Sequence, residues 1–177
     1  MTGRTLEARQ TQCVMVVRGT KKFLDRAGRP DWSEMQSSCV LGDWYANVWF
    51  WRSQVALFVS ERTLLPVIVP LAPASAVIPR FPVAFAEVAT RIGVEPAAVD
   101  GETARMTTWT LATTASRSVL GVMNEFAYLA DNYRERHDPL DLVELSLWLA
   151  QVPCSPLYPR HGTPELELKA LLAAKEP

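Results

Sequence analysis

The run SRSVLGVMNEF (116–126) gathers Arg117, Ser118, Gly121, Asn124 and Glu125 in a segment that otherwise reads as an ordinary amphipathic helix. At about 100° per residue, Val119, Val122, Met123, Phe126, Ala130 and Tyr133 share one face, which should be the core face. Arg117, Gly121, Asn124 and Tyr128 then fall within about 60° of one another on the other side. A glycine inside a helix costs roughly 0.5–1 kcal/mol relative to alanine, so a ligand or a close neighbour is expected there. A second group of cations, Lys21 and Lys22, stands in the first turn of the helix that RGTKKFLD predicts. Cations there oppose the helix dipole, and exposed helix amides beside ammonium groups suit a phosphate or carboxylate. Lys21, Lys22, Arg117, Ser118 and Gly121 are therefore the expected phosphate-binding residues. Asn124 and Glu125 would position an attacking group or act as acid and base.

Two readings follow from these residues. In the leading one the protein is directed at nucleic acid or a nucleotide, as a metal-independent, toxin-like endoribonuclease would be, with RNA or a nucleotide as partner and no cofactor. The alternative is a non-catalytic interaction module of antitoxin or adaptor type. It would use the apolar face of a helix over 139–152 to meet a partner protein or a second copy. Whether the chain is an enzyme stays open between them.

Other chemistries find little support. RGTKKFLD lacks the spacing of a phosphate-binding P-loop. His137 and His161 are the only histidines, Cys154 stands seven residues before His161, and no zinc-ligand pattern results. No G-x-S-x-G elbow supports a serine nucleophile. Trp44, Trp49, Trp51 and Tyr45 could form a stacking platform for bases, but aromatic residues on strands more often fill a core.

With 177 residues, 49% of them hydrophobic, the chain can bury a sizeable core as one domain. A net charge of −1 excludes a whole-protein positive field for nucleic acid and leaves room only for a local patch. Cys13, Cys39 and Cys154 are odd in number and far apart, which fits reduced thiols in a cytoplasm. The longest apolar stretch, 64–79, carries Pro66, Pro70, Pro73 and Pro79 and is too short to span a bilayer, so no membrane is expected.

The elements that must place these residues form an α+β domain over 13–177, behind a flexible tail over 1–12. The expected fold is an antiparallel β-meander sheet with helices packed on one face and a helical C-terminal third. Strands are predicted near 14–19, 43–51, 55–60, 64–70 and 106–114. Along 40–51, Trp44, Ala46, Val48 and Phe50 take one face and Tyr45, Asn47, Trp49 and Trp51 the other. Pro66 and Pro70 cannot donate to a ladder, which sends the 64–70 strand to an edge, and its apolar character requires a cover. Helices are predicted over 21–27, 81–93, 117–134, 139–152 and, as a last turn, 164–174, with VEPAAVDGETA as a short turn of helix. Asp138 would cap the 139–152 helix with Pro139 at its first position. Its apolar residues run all round, so it is either central or faces a partner.

The blocks RGTKKFLDR, LGDWYANV, LFVSERTLLPVIV, SRSVLGVMNEF and LSLWLAQVPCSPL resemble a family of uncharacterised bacterial single-domain proteins, over about residues 14–172. Its pattern runs T-K-K, L-G-x-W-Y-A, N-R-S-V-L-G-x-M-N-[DE]-F and L-x-x-x-P-C. Thr20, Lys21, Lys22, Trp44, Tyr45, Arg117, Ser118, Gly121, Met123, Asn124, Glu125, Pro153 and Cys154 match it. The family is a domain of unknown function, so the resemblance implies no activity. Ser116 stands where the pattern has Asn; a capping role would survive that change and a ligand-binding role would not.

Overall fold

The computed structural model describes residues 13–31 and 35–174; the expected tail over 1–12 lies outside them. Five strands, β1 (Met15–Gly19), β2 (Trp44–Trp49), β3 (Val55–Ser60), β4 (Pro66–Pro70) and β5 (Trp109–Thr113), make one sheet in the order β4-β3-β2-β1-β5. β2, β3 and β4 form the predicted antiparallel meander. The sheet as a whole is mixed, which corrects the purely antiparallel expectation. β1 pairs in parallel with β2 on one side and with β5 on the other. The reason lies in the connections. Parallel neighbours need a crossover of a dozen or more residues, and the 20–43 segment and the helices between β4 and β5 supply both. The uninterrupted apolar run of β1 is what a strand covered on both faces requires.

Helices cover both faces of the sheet, not one. Strand alternation divides the core in two. Met15, Val17, Trp44, Ala46, Val48, Ala56, Phe58, Val67 and Val69 face α1 (Lys21–Ala27), α2 (Val77–Ile92), α3 (Pro96–Ala104) and α6 (Pro164–Ala173). Tyr45, Trp49, Val55, Leu57, Val59 and Ile68 face α4 (Arg117–Arg134), through Val119, Val122, Met123, Phe126 and Ala130. α5 (Leu142–Ala150) belongs to both layers. Val143, Leu147 and Ala150 pack on the first core, and Leu142, Leu145 and Leu149 on the second. It is the central helix, with Leu145, Leu149 and Ala150 buried and Leu142, Val143 and Leu147 half-buried. Its cap also differs from expectation. Asp141 accepts from Val143 N and Glu144 N at 2.8 and 3.0 Å, so the helix starts three residues later than Asp138 would set it.

α2 likewise begins at Val77 instead of residue 81. Pro79 is tolerated in a first turn, where its amide would be unpaired in any case, so the proline-dense stretch hides a helix start. β4 does lie at an edge. Its outward-facing positions are Pro66, Ile68 and Pro70, and the first and last have no N–H. Ile68 N, the remaining outward donor of this strand, is accepted by Ser146 Oγ of α5 at 3.0 Å. The predicted cover is thus α5, and it closes the edge with a specific hydrogen bond.

Candidate functional site

Strand β1 ends at Gly19, and Thr20 caps α1 by accepting from Phe23 N, as expected. Thr20 Oγ1 also donates to Asn47 Oδ1 of β2 at 2.8 Å, which ties the start of α1 to the neighbouring strand. Lys21 and Lys22 follow, both exposed. Lys21 pairs with Asp25 one turn on, at 2.8 Å. Lys22 has a different neighbour: its Nζ stands 5.5 Å from the centre of the Phe50 ring, and the Arg26 guanidinium stands 4.7 Å from the same ring. Phe50 projects past the end of β2 and is 51% exposed. On the other side of the same hairpin, Arg134 of α4 lies 5.0 Å from the Trp51 ring, whose Nε1 donates to Asp131. The 50–54 hairpin tip is therefore an aromatic ridge with cations on both flanks, and Arg52 is exposed at its crest.

Lys22 and Arg26, four residues apart, necessarily share a face of α1, and that spacing was the readable signal. Arg26, Phe50 and Arg134 are absent from the site expected from sequence. The rest of the aromatic group is core: Trp44 and Tyr45 are fully buried and Trp49 is 6% exposed.

The remaining expected residues lie elsewhere. α4 packs on the face of the sheet opposite α1, and Arg117, Ser118, Gly121, Asn124 and Glu125 are all exposed on it. Lys21 and Lys22 thus stand on one side of the sheet and this set on the other. The side chains of Asn124 and Glu125 make no hydrogen bond or ion pair with another described residue. Ser116 Oγ accepts from Val119 N at 3.3 Å, so serine caps the helix in this chain. Ser116 N in turn donates to the buried Tyr45 hydroxyl at 3.0 Å, which anchors the helix to β2. Burial, the largest influence, raises the Tyr45 pKa above its usual value.

Apart from the backbone of its own helix and its two chain neighbours, no described atom comes within 4 Å of where a Cβ on Gly121 would stand. Packing within the chain therefore does not ask for glycine at this point. Gly121→Ala should stabilise the protein by about 0.4–1 kcal/mol, read as a raised urea midpoint at unchanged slope. A loss of stability would show that the methyl meets something.

Cys39 and Cys154 are buried thiols, and burial pushes each up to about 12, with the charge of Glu102 adding to the first and that of Glu125 to the second. The thiolate is the reactive form, so neither is a nucleophile at neutral pH. Cys13 is exposed. A thiol reagent at pH 8 should label one cysteine of the native protein quickly and the other two only on unfolding; three fast thiols would contradict the structure. The two buried thiols ionise more easily in the unfolded chain, so the stability they lend is complete below about pH 8.5 and declines as pH climbs towards 12. Among the described residues no group of three or more His, Cys, Asp or Glu is placed to hold a metal ion, and no helix is long and apolar enough to cross a membrane.

The fold and this surface define a small α/β domain with a mixed five-stranded sheet and a cation-flanked aromatic ridge at one hairpin. The chain belongs to the family described as a domain of unknown function, DUF6933, whose model matches residues 16–167. No curated protein and no solved structure matches it.

Proposed function

We propose that the protein is directed at nucleic acid, and that it takes hold of a strand or nucleotide at the 50–54 hairpin tip. The observation that carries this reading is the exposed Phe50 ring flanked by Lys22 and Arg26, with Arg134 over Trp51 on the opposite side. A nucleic acid offers phosphates for Lys22 and Arg26, and a base face for the Phe50 ring; Arg134 is paired with Asp131 at 3.5 Å. The near-neutral net charge fits a local contact better than a broad basic footprint. Asn124 and Glu125 stand across the sheet from Lys22, Arg26 and Phe50, and roughly 15 Å along α4 from Arg134, so the geometry supports binding and assigns no cleavage step to them.

The test is fluorescence anisotropy of a labelled single-stranded RNA at two salt concentrations. Lys22→Ala with Arg26→Ala should weaken binding at least tenfold. It should also flatten the salt dependence by about 1.4 in log–log slope, the value for two lost phosphate contacts on a single strand. Phe50→Ala should cost about 1–3 kcal/mol, the worth of one stacked base. No binding by the natural protein at low salt, or equal binding by all variants, would end this reading.

A further inference from the structure

A groove of about 770 Å³ runs along the outer side of β4, between α2 and the segment entering α5. That volume is typical of a small-molecule site. Its walls are apolar: Val83 and Ala84 from α2, Leu140 and Val143 from the other bank, with Ile68 and Pro70 as the floor. Val83 is 72% exposed, a large apolar side chain left facing solvent inside a concave surface.

The floor decides what sort of occupant fits. An added β-strand needs donors as well as acceptors from the edge it joins. Here Pro66 and Pro70 have no N–H and Ile68 N is held by Ser146, so β4 offers an incoming strand no donor. The charges decide the rest. Arg80 lies at the groove half-buried, its Nη1 donating to Pro70 O at 2.9 Å, and no carboxylate among the described residues pairs with it. Two carboxylates also line the groove, and neither is paired with Arg80. Asp141 accepts from Val143 N and Glu144 N at the start of α5, and Glu87 is exposed seven residues along α2, roughly 10 Å along the axis from Arg80. The groove thus has an apolar trough with a cation, Arg80, at the Pro70 end that forms no ion pair with a described residue.

We propose that this groove binds an amphiphilic carboxylate, a molecule with an aliphatic or aromatic body and a single anionic head. The body lies between α2 and the 140–143 bank, and the head meets Arg80, whose guanidinium is already fixed by Pro70 O. This inference does not depend on the nucleic-acid reading.

The experiment titrates the protein with decanoate, decanol and decylamine below their aggregation concentrations, following amide shifts of Val83, Ala84 and Val143 by NMR. Decanoate should bind at least tenfold more tightly than the other two. Arg80→Met should reduce decanoate to the level of decanol while leaving decanol unchanged, which a merely structural arginine would not do. Val83→Trp, at an exposed position that should leave the fold intact by circular dichroism, should block all three. Equal affinity for the three probes, no shifts at all, decanoate binding indifferent to Arg80→Met, or decanoate binding that survives in folded Val83→Trp would each overturn the proposal. So would capture by phosphatidylglycerol vesicles with no response to free decanoate.

Discussion

Replacing Glu102 with alanine should cost about 3–5 kcal/mol. Glu102 sits on α3 and is 1% exposed. Its carboxylate accepts from Val40 N and Leu41 N, each at 2.9 Å, in the turn that leads into β2. Those two amides lie beyond the reach of the sheet ladder. Without the carboxylate they would be buried donors with nothing to receive them, and each hydrogen bond to a charged group is worth about 1.5–3 kcal/mol. The turn matters further because Leu41 O accepts from Ser60 Oγ and Arg62 N, which joins the start of β2 to the end of β3. A total stability of about 5–15 kcal/mol would leave the variant marginal. Glu102→Gln should lose about half as much, since one oxygen still accepts while the new amide faces a donor. Urea unfolding of both variants checks the order; an alanine variant within 1 kcal/mol of the natural protein would show that the turn is held in some other way.

Ser146→Ala should cost about 1–3 kcal/mol, the penalty for an unsatisfied buried amide at Ile68. Ser146 is completely buried, and its hydroxyl also donates to Leu142 O at 2.7 Å, so it connects the first turn of α5 to the edge of the sheet. Ser146→Thr, which keeps the hydroxyl, should lose less than alanine unless its methyl overpacks the site. Denaturant midpoints give the energies, and amide exchange at Ile68 gives the mechanism. Ile68 N should exchange much faster in the alanine variant, while Val67 and Val69, whose amides face β3, should keep their protection. Unchanged exchange at Ile68 would remove Ser146 from this role.

Much of the fold could be read from periodicity and punctuation. The Trp44-to-Trp51 alternation divided correctly between two faces, because a strand covered on both sides still sends successive side chains in opposite directions. Arg117–Arg134 emerged with the predicted limits, because Ser116 caps it and its apolar positions recur at helical spacing. What failed was information that spans the chain. Nothing local in Met15–Gly19 tells which strands it will join, so the parallel pairs with β2 and β5 were missed. The Asp138 cap was wrong because Asp141 offers the same chemistry three residues later, and the closer competitor wins the amides of Val143 and Glu144. The candidate site was legible only in pieces. Lys22 announced itself as a cation at a helix start, but its association with Phe50 depends on how α1 crosses the end of β2. Glu102 and Ser146 look like solvent-facing residues in sequence and become buried only through α3 and α5 docking.

The position of β1 bears on how this chain is made. The strand pairs with β2 soon after it appears, but its other edge waits for β5, roughly ninety residues later. At about 5–20 residues per second, a ribosome needs several seconds or more to deliver that partner. For that interval the nascent chain carries an apolar strand with one open flank, next to a meander that is already able to form. A release factor acting early, or a truncation before Trp109, would leave that flank open permanently and turn a folding intermediate into a seed for aggregation.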